Sequence, residues 1–176
     1  MIKSNPDGET PKIDPSAYID DTAVVIGNVE VGPDVFVGPR AILRADETGS
    51  AITIAAGSNI QDLVVAHAHA ATSVAIGENV SLAHSCVVHG PCDIGEGSFV
   101  GFGSVIHNAT LGKRVFVRHL AVVENAAVPD ARKIHSGKVV GNDDEANALP
   151  KTDDADKALA EKVLKANIEL LKGYRG

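Results

Sequence analysis

The strongest constraint on this chain is a six-residue repeat of aliphatic side chains. Starting at Ile76, it continues through Leu82, Val88, Ile94, Val100 and Ile106. The same step relates Val31, Val37 and Leu43, with a one-residue slip at Ile26 and another before Leu111. Such a step predicts short strands joined by turns, with the aliphatic residue pointing inward and Gly, Asn or Asp at turns that need positive φ. The repeat therefore predicts an all-β fold, a parallel β-helix; the period alone does not give its handedness.

The composition supports a narrow and regular interior. There is no Trp, and aromatic residues make up only 3% of the chain. A β-sandwich of short strands is the alternative, but its turns would be irregularly spaced. The constant register from Ile76 to Ile106 favours the β-helix.

Two stretches interrupt the repeat. One runs from Asp46 to Ser50, and the other lies between Ile60 and Ile76. We expect a loop to bulge from the stack at the second interruption. Loops on rigid scaffolds frequently carry function, so this loop is a candidate site.

The pattern changes after Asp153, where an amphipathic helix is predicted. Asp153 or Asp154 suits the N-cap, and Gly173 suits the end. The helix face expected to pack consists of Leu159, Val163, Ala166 and Leu170. We predict a β-helix domain over residues 1–145, with residues 146–176 forming a linker and a C-terminal α-helix that packs on it.

Charge and length exclude several classes of protein. The 176 residues carry a net charge of −7, which argues against nucleic-acid partners and anionic membranes. The first twenty residues have no apolar core, so we expect no signal peptide, and no later stretch suits a membrane span. Cys86 and Cys92 are expected to be reduced thiols. We therefore expect a soluble, cytoplasmic protein.

Three histidines are candidate metal ligands: His67, His84 and His89. Three neutral imidazoles make an open zinc site with a fourth position for water. On a coil of three hexads, His84 and His89 would flank one corner and lie on adjacent sides. One chain would not easily chelate a metal with both, unless another subunit's edge lay alongside. Solvated or core-capping histidines remain the alternative on spacing alone.

Two segments resemble the γ-class carbonic anhydrases. Residues 44–67, RADETGSAITIAAGSNIQDLVVAH, and residues 76–91, IGENVSLAHSCVVHGP, are similar to consecutive elements of that family. The segment KANIELLKGY is similar to its closing helix. The similarity extends from about Ile26 to Val140, and both elements occur in the family's order.

The resemblance implies a left-handed β-helix that forms a homotrimer with metal sites between subunits. His67 and His89 would come from one subunit and His84 from its neighbour. The metal would be Zn²⁺, or Fe²⁺ or Co²⁺ in the same site. Metal-bound hydroxide would attack CO2 to give bicarbonate, in a reversible reaction.

The resemblance also assigns roles to other residues. Gln61 would orient the metal-bound hydroxide or bind CO2. Glu47 would accept a hydrogen bond from metal-bound water or help move its proton, and Asn167 would line the site. The bicarbonate and interface residues would be Arg44, Asp46, Asn59 and Asp62, with Arg44 and Asp46 as an ion pair across the interface. Taken singly, each of these residues suits an ordinary structural role.

The chain departs from the family's long-loop form. Its loop is the short HAHAATSVA, and Ala70 stands where that form has a shuttle glutamate. We predict that His69 replaces this proton shuttle, because an imidazole titrates near neutral pH. Two other functions stay open: a hexapeptide acyltransferase, with one catalytic histidine and no metal, and a weakly active structural or assembly module.

Overall fold

The protein is a left-handed parallel β-helix of seven coils, with helices at its C-terminal end. The computed structural model describes residues 1–175. All pairings between its twenty strands are parallel, and they form one seven-stranded and one thirteen-stranded sheet. The predicted all-β fold with a C-terminal helix is confirmed.

The seven-stranded sheet forms the first face of the prism, which we call the helix face. Its strands are β3 (Tyr18–Ile19), β6 (Phe36–Val37), β9 (Asn59–Ile60), β12 (Ser81–Leu82), β14 (Phe99–Val100), β16 (Phe116–Val117) and β19 (Lys133–Ile134). Ile60, Leu82 and Val100 stack in register along its inner side. All three are fully buried, as their place in the repeat predicts.

The thirteen-stranded sheet covers the other two faces. The second face holds β1 (Ile2–Lys3), β4 (Val24–Gly27), β7 (Ile42–Ala45), β10 (Val65–His67), β17 (Val122–Glu124) and β20 (Val139–Val140). The third face holds β2 (Lys12–Ile13), β5 (Val29–Val31), β8 (Ala51–Ile54), β11 (Ser73–Ile76) and β18 (Ala127–Val128). Two longer strands, β13 (Val87–Ile94) and β15 (Val105–Leu111), turn the corner and contribute to both faces.

One predicted slip in the repeat is wrong and one is confirmed. Val25, and not Ile26, pairs with Leu43 and is fully buried, so the step of six to Val31 is intact. Ile26 pairs instead with Arg44, the next residue along β7. Downstream, Leu111 keeps its place opposite Ile94 through a shift in register. The residue missing from the repeat before Leu111 is therefore accommodated by a change of register within a pair of strands, and not by a shorter turn.

Both predicted interruptions are loops at one corner, and the second is shorter than expected. Ala66 still pairs with Leu43 and with Val88, so the repeat runs through it. The extra residues lie between His67 and Ser73. This loop stacks on the loop of residues 46–50, because the Ala71 N–H donates to the Thr48 carbonyl at 3.0 Å.

The corner between the helix face and the second face departs from the predicted turn chemistry. We call it the His84 corner; Leu63, Ser85 and Leu120 occupy its left-handed positions, with φ of 62°, 61° and 56°. Gly, Asn or Asp was expected there. A left-handed conformation costs such residues roughly 1–2 kcal/mol. Hydrogen bonds between coils offset this cost, as where Leu63 N–H donates to the Pro39 carbonyl.

Two helices complete the chain: α1 (Asp143–Asn147) and α2 (Asp154–Arg175). The Asp153 carboxylate accepts from Asp156 N–H at 2.9 Å, which confirms the predicted cap. α2 begins beside Lys133 in the last coil and ends where Tyr174 stacks on Tyr18 in the first. It therefore crosses the full length of the helix face.

Of the four residues in the predicted packing face of α2, only Val163 packs on the β-helix, and the prediction is wrong for Leu159, Ala166 and Leu170. Leu159 and Leu170 are 39% and 49% exposed, whereas Asp156, Asn167 and Leu171 are the buried residues. Ala160 and Val163 pack against a cluster formed by Ala83, Phe99 and Phe116. The helix also continues past Gly173, where we expected its end. Within residues 1–175, no helix is long and apolar enough to cross a membrane.

Candidate metal centre

A column of polar side chains runs along the corner between the second and third faces. Arg44, His67, His89, His107 and Glu124 occupy equivalent positions in five successive coils. Stacked parallel strands hold such residues about 4.8 Å apart with their side chains on the same side. We call this edge the His67 corner. The in-register stacking explains how residues distant in sequence come together.

His67 and His89 form a close pair of imidazoles. Nδ1 of His67 lies 3.1 Å from Nε2 of His89, and the two rings meet edge to face. Nδ1 of His89 lies 3.3 Å from the Gly90 carbonyl, which assigns the proton to that nitrogen. The Nε2 lone pair of His89 is therefore directed at His67.

The distance between these nitrogens suits two ligands of one metal ion. Nitrogens bound tetrahedrally at 2.0–2.1 Å lie about 3.3–3.4 Å apart, close to the separation found here. The other ring nitrogen of His67, Nε2, is buried and has no hydrogen-bond partner within the described chain. A Glu47 carboxylate oxygen lies 3.3 Å from it, without the alignment of a hydrogen bond. Carboxylates commonly support metal-binding histidines in this position.

The surroundings of His67 favour its neutral form. Burial lowers the pKa of His67, and the nearby Arg44 and His89 lower it further. Glu47 and Asp46 act in the opposite direction but do not outweigh these effects. Only a deprotonated ring nitrogen binds a metal, so the lowered pKa suits a ligand.

His84 lies at a different corner from this pair. Its side chain is 49% exposed, and its Nδ1 lies 3.5 Å from an Asp62 carboxylate oxygen. His84 precedes the turn at Ser85, whereas His89 ends the second-face part of β13. The two histidines therefore lie at opposite ends of one face, and not on either side of one corner as we expected. No group of three His, Cys, Asp or Glu residues within residues 1–175 is arranged to hold a metal.

Four other candidate residues lie at or beside the His67 corner. Arg44 Nε donates to the Asp46 carboxylate at 2.7 Å, so this ion pair forms within one chain. Glu47 accepts from the Ala70 N–H at 2.9 Å, which ties the two loops together. The His69 ring lies 5.6 Å from that of His89. These contacts surround the imidazole pair with charged and titratable groups.

The predicted amide residues lie on the helix face. Asn59 Nδ2 donates to Ser81 Oγ at 2.8 Å, and Gln61 Nε2 donates to Asn59 Oδ1 at 2.9 Å. All three are buried. Asn167 is also buried and donates to the Val163 carbonyl of its own helix at 2.9 Å. Gln61 directly precedes Asp62, so this chain of amides leads toward His84.

Sequence reasoning missed His107. Its ring meets the His89 ring edge to face at 5.4 Å. The signal was present, because His107 follows His89 by eighteen residues, the length of a coil of three hexads.

Comparisons with known proteins show which family the chain belongs to. Residues 73–108 match the bacterial transferase hexapeptide family (six repeats). The chain is 37% identical over 192 residues to a carbonic anhydrase of Methanosarcina thermophila, covering 97% of this chain and 77% of that protein. This chain belongs to the γ-class carbonic anhydrase family. The predicted resemblance is thus confirmed.

Other members of the wider hexapeptide-repeat group carry different names. The carboxysome assembly protein CcmM of Nostoc sp. is 33% identical over 93% of this chain, which spans only 31% of that protein. The solved structure of a hexapeptide transferase family protein from Anaplasma phagocytophilum has a TM-score of 0.78 at 26% identity. The similarity covers 99% of this chain and 98% of the Anaplasma chain. Proteins similar to this chain therefore differ in the activity that their names state, and the geometry of the site has to distinguish between these activities.

Proposed function

We propose that this protein catalyses the reversible hydration of CO2 to bicarbonate at a divalent-metal centre shared between subunits of a homotrimer. The observation that carries the proposal is the 3.1 Å contact between His67 and His89. Their ring nitrogens face each other at a distance suited to a common metal ion, and one chain supplies only these two. The resemblance to the Methanosarcina carbonic anhydrase supports the same chemistry.

His84 of the neighbouring subunit is the proposed third ligand. The Asp62 carboxylate beside its Nδ1 favours a proton on that nitrogen, which leaves Nε2 as the ligand atom. Three neutral imidazoles suit Zn²⁺, with Fe²⁺ or Co²⁺ as alternatives in the same site. When bound, such a metal would lower the pKa of coordinated water to about 7 and so would supply the nucleophile for CO2.

The surrounding residues then have separate roles. We propose that Glu47 accepts a proton at the His67 corner and that His69 passes it to solvent. Arg44, held by Asp46, supplies positive charge for bicarbonate. Gln61 is fixed by Asn59, and a fixed amide suits the orientation of CO2 or water. Asn167 is proposed to line the site from α2.

One observation favours a second candidate, a structural role in a larger assembly. The chain is similar to the carboxysome assembly protein of Nostoc, and Ala70 replaces the family's shuttle glutamate. Acyl transfer is a further alternative, which binding of an acyl-CoA would reveal. The buried free thiols Cys86 and Cys92 are compatible with the cytoplasmic location that we propose.

Metal analysis combined with a CO2 hydration assay tests the proposal. Protein purified without added zinc should hold about one divalent metal per chain, and His67→Ala, His84→Ala and His89→Ala should each lose metal and activity. His135→Ala, at an exposed position in the last coil, is the matched control and should retain both. Full metal occupancy in a variant would exclude that histidine as a ligand. Full occupancy without hydration activity in the wild type would favour the structural role.

A further inference from the structure

The pattern of the candidate metal centre recurs two coils further along the prism. At the His84 corner, His84, Phe102 and His119 precede the left-handed turn residue in three successive coils. Their rings stack, with centroids 5.4 Å and then 4.4 Å apart. His119 is therefore the residue equivalent to His84 two coils further along the prism.

The same shift of two coils applied to the His67 corner gives a related set. Two coils beyond His67 the equivalent residue is His107, and two coils beyond His89 it is Glu124. The three proposed ligand positions thus recur as His107, Glu124 and, from the other corner, His119. Two histidines and one carboxylate suit a divalent metal by residue type alone.

The tautomer of His119 excludes it as a metal ligand. Its Nδ1 accepts the Phe102 N–H at 3.1 Å, so the ring proton of the neutral imidazole is on Nε2. Nε2 of His119 is therefore a hydrogen-bond donor. In His84 the equivalent Nδ1 faces the Asp62 carboxylate, and Nε2 keeps its lone pair. Equivalent positions at one corner thus present a ligand in one coil and a donor two coils later.

Glu124 offers the matching acceptor at the other corner. It ends β17, is partly buried, and takes part in none of the ion pairs formed within residues 1–175. The edge that carries His119 is apolar, because Phe102 and Leu120 are 47% and 70% exposed there. A second copy of this chain would cover that edge and leave the Glu124 carboxylate next to an N–H donor.

We infer that His119 of one subunit donates a hydrogen bond to Glu124 of the neighbouring subunit. This inference rests on the proposed function, in which the His84 corner of one chain meets the His67 corner of the next. A threefold axis along the coil axis keeps equivalent coils at the same height. If His84 meets His67 and His89, His119 then meets His107 and Glu124 two coils away, about 9–10 Å along the axis.

The contact fixes the register between subunits. Neighbouring coils are alike in shape, so two chains joined only through their apolar edges could pair with a slip of one coil, about 4.8 Å, and such a slipped pair could not close into a ring of three. Such a slip would place His84 opposite the wrong coil and remove it from the metal centre. His119 and Glu124 are therefore positioning residues, and they act on the site through the alignment of the two chains.

A double-variant cycle on the trimer tests this inference. His119→Phe keeps the stacked ring but removes the donor, and Glu124→Leu removes the acceptor. His119→Phe also leaves the Phe102 N–H without its acceptor, and the cycle cancels this effect because both proteins with Phe at position 119 share it. Each single change leaves one buried polar group unpaired and should raise the dissociation constant of each subunit interface about tenfold. The ring contains three such interfaces, so the dissociation constant of the whole trimer should rise about a thousandfold. The double variant removes both groups and should bind more tightly than either single variant. Sedimentation equilibrium measures all four proteins, with His135→Phe as the matched control.

The outcomes separate this inference from the proposed function. Additive effects, or single variants that assemble like the wild type, would overturn the inference while a trimer with one metal per chain would still uphold the shared centre. Two metals per chain, with one lost in His119→Phe, would show that the second level binds metal and would also overturn it. A wild-type protein that stays monomeric would overturn both proposals.

Discussion

At the scale of single residues, the partner of one ring nitrogen decides what each histidine does. The Gly90 carbonyl assigns the proton of His89 to Nδ1, and the Asp62 carboxylate favours the same tautomer in His84. The Phe102 N–H assigns the opposite tautomer to His119. His84 and His119 share residue type and corner position, but His84, like His89, keeps the Nε2 lone pair that can bind a metal, whereas His119 does not.

His69 allows a residue-scale prediction about proton transfer. Its carbonyl accepts from Thr72 N–H and Oγ1–H, which fixes the backbone of the loop beside the His89 ring. An imidazole can accept a proton at one ring nitrogen and release one from the other, which suits a carrier between the metal centre and solvent. In His69→Ala, kcat should fall at low buffer concentration while kcat/KM is unchanged. Stopped-flow CO2 hydration over a range of buffer concentrations measures both.

Chemical rescue provides the control for this prediction. Added imidazole should restore kcat in His69→Ala and have little effect on the wild type, because it replaces only the missing carrier. If kcat at low buffer concentration is the same in both proteins, His69 is not the shuttle. Glu47 or bulk solvent would then carry the proton.

At the scale of elements, one buried carboxylate fastens α2 to the β-helix. The Asp156 side chain is fully buried and accepts from Arg118 and Lys133, each at 2.8 Å. Asp153 caps the same end of the helix and pairs with Lys133 at 2.7 Å. Burial alone would raise the pKa of Asp156, but the hydrogen bonds from Lys133 and Arg118 outweigh it and lower the pKa. The hydrogen bond from Lys133 lowers the pKa of Asp153 to about 2.

These pKa values predict how stability depends on pH. Both carboxylates have a lower pKa in the folded chain, so their stabilisation is complete above the unfolded value of about 3.9 and is lost as pH falls toward 2. Asp156→Asn leaves Arg118 and Lys133 without their buried partner and should lower the free energy of unfolding by about 3–5 kcal/mol at pH 7. Urea denaturation between pH 7 and pH 2.5 measures this loss.

The exposed pair of Lys157 and Asp154 supplies the comparison for Asp156. Asp154→Asn removes an ion pair on the same helix turn, but solvent surrounds it, so the loss should stay below about 1 kcal/mol. The difference between the two variants should shrink as the pH is lowered through the window from 4 to 2. Equal losses in both variants at pH 7 would contradict the anchoring role of Asp156.

The same elements show what the sequence could and could not predict. The coils were predictable because each inward position, such as Leu82 or Ile94, is aliphatic at a fixed step. The face of α2 was not, because Leu159 and Leu170 form an apolar stripe while the buried stripe includes Asp156 and Asn167. The partners that allow Asp156 to be buried, Arg118 and Lys133, come from two successive coils of the β-helix and not from its own helix.

Part of the candidate site was hidden for a related reason. His67 pairs with His89 across twenty-two residues, four more than a regular coil, because the loop after His67 is inserted. The repeat does not predict how many residues are inserted, because the loop interrupts the repeat at that point. His84 and His89 were predicted to be apart, but their placement at two ends of one face required the turn at Ser85.

At the scale of the whole molecule, the prism separates the proposed ligands between two edges. His67 and His89 lie on one corner and His84 on another, so no rotation of a side chain brings all three together within a chain. In the homotrimer that we propose, a closed ring of three chains would bring each His84 corner against the next His67 corner and would complete three equivalent sites. The incomplete site and the exposed apolar side chains at the His84 corner, Leu63, Phe102 and Leu120, then have one explanation.

Mixed trimers test this explanation. Chains with His84→Ala keep His67 and His89, and chains with His67→Ala keep His84, so neither variant alone forms a complete site. In a random one-to-one mixture, three quarters of the rings contain both chains, and each such ring has one complete site in three. Metal content and hydration activity should therefore recover to about one quarter of the wild-type values after joint refolding.

A second mixture supplies the control for this recovery. His67→Ala and His89→Ala remove ligands from the same corner, so no pairing of these two chains restores a site, and their mixture should stay without metal. If the His84→Ala and His67→Ala mixture binds no more metal than this control, the ligands are not divided between subunits as proposed. Recovery in both mixtures would instead show that metal binding does not require His67 and His89 from the same chain. Only recovery confined to the first mixture fits a ring in which each centre takes two histidines from one corner and one from the next chain.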